Sequence, residues 1–193
     1  MGRKLRVSIL ILTFILVSHL SGGETHNFLW AEENSKDWVT VETEFFTISY
    51  PKELDIKKIH GRINTRFINV HLPASPSSKR NPEELLAYKF DLIFKKVQTI
   101  LDMYPRGIRV KVKIYQNPEE LLEVYDGISG SAKSATSFYI HKQRTIYTTV
   151  KSISEAVLSH EIAHSIIDHY FIILPPRKIQ ELLAMYVETH LED

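Results

Sequence analysis

Between Ile153 and Leu174 the chain has neither Gly nor Pro, and in the middle of this run stands His160-Glu161-Ile162-Ala163-His164. A run of that length without a breaker predicts a helix. Ser152, with Glu155 three positions later, reads as a capping box that starts it at about Ile153. Ile153, Ala156, Val157, Ala163, Ile166, Ile167 and Tyr170 are apolar on several sides, the pattern of a largely buried helix. Helical positions four apart lie on one face a single turn apart, so the imidazoles of His160 and His164 can reach one point. Two imidazoles and a carboxylate in a buried helix are costly without partners, and a metal ion is a partner that satisfies them together. The fold must therefore bring a further element over this helix.

Zinc binds imidazole nitrogen, and its catalytic sites combine three protein ligands with one open position. Glu161 lies about 100° round the axis from His160, near enough to reach a water on the metal without being a ligand. The string supplies two ligands and a base, so a third ligand is required. Pro175-Pro176 ends the helix, and a second one starts at Pro176 or Arg177. Ile179, Leu182, Leu183, Met185, Tyr186 and Val187 predict its buried stripe, and Glu181 stands among them, 17 positions after His164. The double-proline turn lets the second helix fold back over the first, which makes Glu181 the candidate ligand. Nine histidines in 193 residues keep a coincidental string as a competing reading, with Glu181 then an exposed helix residue paired to Lys178.

At 193 residues and 44% hydrophobic, the chain has material for one core and one domain. Arg3, Lys4 and Arg6 precede an apolar run from Val7 to Leu20, followed by Ser21-Gly22-Gly23. Residues 1–23 read as a signal peptide, or as an uncleaved signal anchor, and the run is short of the roughly 20 residues of a full span. The expectation is export to a bacterial periplasm or the extracellular space, with membrane contact only through such an anchor. Setting that leader aside leaves 21 basic against 23 acidic residues, which gives no basic face for nucleic acid. With no Cys, disulfides and a Cys-linked lipid anchor are excluded. Residues 24–38 read as a flexible lead-in, and 39–193 as the folded domain.

Within that domain, Val39–Tyr50 alternates as a strand or hairpin stopped by Pro51, and a weak helix covers Glu53–Phe67. Pro73–Pro82 is a Pro/Ser-rich surface loop, and a strong amphipathic helix runs from Pro82 to about Met103. Arg109–Tyr115 is a strand with Val110, Val112 and Ile114 on one face; Pro118–Tyr125 is a short helix; Asp126–Ser134 is a loop. Ser137–His141 and Arg144–Val150 form a hairpin leading into the His160 helix. The order predicts an α+β domain with a small mixed sheet, and Arg144–Val150 as the edge on which an extended peptide could lie.

The closing segment Gln180-Glu181-Leu182-Leu183-Ala184-Met185-Tyr186-Val187-Glu188, after His160-Glu161-x-x-His164 and a Pro-containing turn, resembles the gluzincin metallopeptidases, in particular the small exported peptidase-MA-like domains. The Phe-Thr-Ile-Ser-Tyr-Pro and Val-Lys-Ile-Tyr strands are similar to theirs as well. The resemblance implies a zincin-like fold with the His-Glu-x-x-His helix packed on a third-ligand helix. It implies Zn²⁺ held by His160, His164 and Glu181, with Glu161 as general base and a peptide or protein as substrate. Three departures stand out. Leu182 replaces the usual Gly, a bulkier residue expected to crowd the metal or shift the helix. Met185 leaves no carboxylate four residues past Glu181 to orient a ligand His. The chain ends at Asp193 without the C-terminal subdomain that closes the cleft in larger relatives. Tyr147, Tyr170 and His169 are the oxyanion-stabilising candidates by nearness in sequence, although His169 and His190 also read as surface residues. Three readings follow: a zinc peptidase, a non-catalytic zinc-binding envelope domain degenerated from one, and a scaffold with a chance motif.

Overall fold

The computed structural model describes residues 37–68, 81–129 and 136–192. The leader, nearly all of the lead-in, the loop at 73–80 and most of the loop after Ser129 lie outside the described residues. The described parts form a mixed α+β domain of five strands and five helices. Strands β1 (Trp38–Glu42) and β2 (Phe46–Pro51) make the expected hairpin, its turn held by Asp91, which accepts hydrogen bonds from Thr43 Oγ1 at 2.7 Å and Phe45 N at 3.2 Å. Helices α1 (Ile56–Gly61) and α2 (Pro82–Leu101) follow. The second begins on a capping box between Asn81 and Glu84 with Pro82 in the first turn, where its missing N–H costs nothing. Then come β3 (Val110–Tyr115), α3 (Pro118–Ser129), β4 (Ser137–Ile140), β5 (Thr145–Thr149), α4 (Glu155–Tyr170) and α5 (Arg177–Thr189).

The sheet order is β1-β2-β3-β5-β4, with β2, β3 and β5 parallel and both outer strands antiparallel to their neighbours. The edge next to α4 is therefore β4, not the Arg144–Val150 segment: β5 lies inside, paired to β3 on one side and β4 on the other. Period-two alternation sorts the faces. Ile48, Val110, Val112, Ile114 and Ile146 pack with Phe90, Phe94 and Val97 of α2 and with Leu158, Ile162 and Ile166 of α4 into the main core. On the opposite face Tyr115, Leu121 and Tyr147 form a smaller cluster with Trp38, Val124, Ile128, Phe138 and Ile140.

Several boundaries differ from expectation. α4 starts two residues late: Ser154, whose side chain accepts from Val157 N, is its N-cap, while Ser152 is held in the preceding turn by its N–H on Thr149 Oγ1. It stops at Tyr170, four residues before Leu174, because Phe171 turns extended and leads Ile172 and Ile173 into solvent. α1 is shorter than Glu53–Phe67, and α3 runs four residues past Tyr125. The larger correction concerns α5. Of its expected apolar stripe only Val187 is buried, joined by Ala184, whereas Ile179, Leu182, Met185 and Tyr186 are 43–55% exposed. Among the described residues no helix is long and apolar enough to cross a membrane.

Candidate metal centre

The front of α4 is anchored before it reaches the site. Arg62 donates to Lys151 O at 2.6 Å and Ile153 O at 3.4 Å, and Asn64 N donates to Glu155 Oε2 at 2.9 Å. Two turns further on, His160 and His164 project from one face of the helix toward α5. Their Nε2 atoms stand 3.3 Å apart, and each lies 3.6 Å from Glu181 Oε2. All three donor atoms fall within 4.8 Å of one another. Ligands about 2.0–2.1 Å from a common tetrahedral ion sit roughly 3.3 Å apart, so two nitrogens and one oxygen at these spacings fit a zinc-sized ion with little movement. Leu182 does not crowd this point; its side chain turns outward, more than half exposed, and forms no part of the cavity wall.

The remaining nitrogen of His160 is also engaged: Nδ1 lies 3.3 Å from Glu188 Oε2. A carboxylate at that nitrogen holds the proton there and leaves the Nε2 lone pair for a metal. The orienting group is thus two turns beyond Glu181 rather than one, and Met185 is irrelevant to it. Ala184, fully buried between Glu181 and Glu188, lets the two helices approach closely. Burial first, and the neighbouring His160 second, hold the His164 imidazole below its ordinary pKa, favouring the neutral form that binds metals.

Glu161 points a different way. It is 7% exposed and lines the cavity beside Ser137 and Tyr139 of β4. Thr145 and Tyr147 of β5 meet β4 through Ile140 and Phe138, so the N–H and C=O of Tyr139 face the edge that has no partner strand among the described residues. Burial and then the charge of Glu181 push the Glu161 carboxyl up to about 8, against a smaller pull from the polar groups of Tyr139 and Ser137. A bound cation would draw it down again.

The cavity in front of these groups, about 670 Å³, holds one pair the sequence reading missed. Asp168, its side chain 6% exposed, receives the Tyr139 hydroxyl at 2.6 Å and the Nδ1 of His141, which lies in the short turn between β4 and β5. A histidine braced in this way through Nδ1 offers Nε2 for hydrogen bonding or proton exchange. The signal was half present: His160, His164 and Asp168 repeat at intervals of four, one stripe on α4. The other half, His141, lies 27 residues upstream and meets the stripe only through the hairpin. None of the earlier oxyanion candidates lines the cavity. Tyr147 is buried on the far face with its hydroxyl on Gln143, Tyr170 is half exposed, and His169 Nδ1 is turned back to Ser165 O. Compared with protein-family models, with curated proteins and with solved structures, the chain matches none of them.

Proposed function

We propose that this domain is a zinc-dependent peptidase with a zincin-like, gluzincin-type arrangement, in which His160, His164 and Glu181 hold Zn²⁺ and Glu161 is the general base. The observation that carries the reading is the convergence of three donor atoms within 4.8 Å beside a buried carboxylate at the edge of β4. Zn²⁺ bound there supplies Lewis acidity, lowering the pKa of a water to about 7 and polarising a carbonyl. Glu161 takes a proton from the attacking water at its carboxylate and returns it to the amine that leaves. Its place beside Tyr139 sets it at the strand edge where an extended peptide would lie, with the Tyr139 carbonyl there to accept a peptide N–H. His141, held by Asp168, adds a hydrogen-bonding group in the same cavity. The basic, then apolar N-terminus favours work outside the cytoplasm.

Replacing Glu161 by Gln tests the base directly. Zinc content by metal analysis should stay at one ion per chain, while hydrolysis of denatured casein falls at least about 100-fold. Equal cleavage by both proteins would remove Glu161 from the reaction. One zinc in each, with cleavage by neither, would favour the non-catalytic zinc-binding domain.

A further inference from the structure

Aromatic rings form a row across the sheet face opposite α2 and α4. Trp38 meets Tyr115 edge-on at 5.4 Å, Tyr115 stacks on Tyr147 at 6.4 Å, and Tyr147 stacks on Phe138 at 5.1 Å. Phe138 then meets Tyr125 of α3 edge-on at 4.9 Å. The row crosses β3, β5 and β4 in sheet order and stops where the described sheet stops. Its last two rings, with Ile128 and Ile140, are part of the wall of the cavity that contains His160, Glu161, His164 and Glu181. Phe138 is only partly buried, so the row ends on an apolar surface open to the cavity.

The next position in this row belongs to whatever pairs with β4. Among the described residues β4 pairs only with β5, and Ser137 to His141 all line the cavity. Side chains alternate along a strand. Tyr139 faces α4, where its hydroxyl meets Asp168, while Phe138 and Ile140 face the aromatic row. A peptide added beside β4 inherits that alternation, and cross-strand neighbours on one face touch at about 5 Å. From this we infer that the protein selects extended peptide segments bearing an aromatic or large aliphatic side chain. That side chain extends the ring row against Phe138, Tyr125 and Ile128, and its sequence neighbour faces the metal centre. The inference rests on the proposed peptidase reading for the occupant, and on the aromatic row for its selectivity.

The test separates the two. The full chain carrying Glu161→Gln and loaded with zinc is titrated into fluorescein-labelled decapeptides of one sequence, differing at a single central position: Phe, Leu, Ala or Asp. Anisotropy should show Phe and Leu peptides binding about tenfold tighter than Ala, and Asp weakest. Phe138→Ala should reduce the Phe-to-Ala ratio to about twofold or less with zinc content unchanged. Tyr125→Ala, on a different element, should do the same and carries the test where Phe138→Ala lowers the melting temperature. Equal binding of all four peptides, binding of none, or an undiminished ratio in both folded variants would overturn the inference. Zinc-dependent cleavage without apolar preference would leave the peptidase reading standing and sink this one. Apolar-selective binding with no hydrolysis by the unmutated chain would do the reverse.

Discussion

The two helices that build the candidate metal centre are held in opposite ways. α4 has a side-chain cap at Ser154, an acidic residue in its first turn, and eight of its 16 residues buried. α5 has no side-chain cap, opens with Arg177 and Lys178 where the helix dipole disfavours cations, and buries only Ala184 and Val187 of its 13. Yet the candidate ligands are divided between them, two imidazoles on the firm helix and Glu181 on the lightly anchored one. Besides Ala184 and Val187 in the main core, α5 meets α4 through polar contacts, Glu181 with both histidines and Glu188 with His160. A metal at this point would therefore act as a structural clamp as well as a chemical centre, because it would join α5 to the core through the residues that dock it.

The largest expected effects lie on α4. Ile162, on the core face of α4 opposite the two histidines, is fully buried, so Ile162→Ala should cost about 3 kcal/mol in urea unfolding and lower metal affinity with it. A loss below about 1 kcal/mol would mean that α4 is no firmer than α5. A comparable effect comes from pH in the metal-free protein. The folded state holds the Glu161 carboxyl up to about 8 against an ordinary 4.5, so it binds that proton more tightly than the unfolded chain does. Stability from this group is complete below about pH 4.5 and is lost as pH rises toward 8, by on the order of a few kcal/mol. Chelated wild type should therefore weaken between pH 5 and 8 relative to Glu161→Gln, and parallel curves would show that Glu161 is not buried as described.

Zinc is the next lever, and it acts on the contrast itself. At a hundredfold excess over its dissociation constant, zinc should stabilise the protein by about 2.7 kcal/mol. Hydrogen exchange should slow chiefly in residues 177–189, with little change in α4. Protection spread evenly over both helices would dissolve the distinction between a firm and a lightly held half.

How far all this was legible follows the same division. Local spacing is read well: the His160/His164 pair, the Pro82 helix start and the Val110, Val112, Ile114 alternation depend on neighbours within a turn or two. Glu181 was reachable because one short proline turn separates its helix from the ligand helix. What failed was non-local. Hairpin order in sequence does not say which member enters the sheet, and β5 rather than β4 enters by pairing with β3. Glu188 lies two turns rather than one beyond Glu181, and only the packing of α5 on α4 brings it to His160 Nδ1. His141 depends on a contact across 27 residues. The apolar stripe of α5 was real as a pattern, but periodicity predicts a face without saying that anything covers it.

The smallest effect is the sharpest check on that last point. Leu182 occupies the position next to Glu181 where crowding of the metal was expected, and it stands 53% exposed, clear of the cavity wall. Leu182→Gln keeps good helix propensity and removes little buried apolar area, so stability should move by no more than about 0.5 kcal/mol. Zinc affinity should change less than about twofold, measured by competition with a chromophoric chelator. A loss of 2 kcal/mol or more would place Leu182 under a cover and make α5 a packed helix like α4. A gain in zinc affinity with unchanged stability would mean that the side chain does press on Glu181 after all, and that the bulk at this position, rather than the weak anchoring of α5, limits the site.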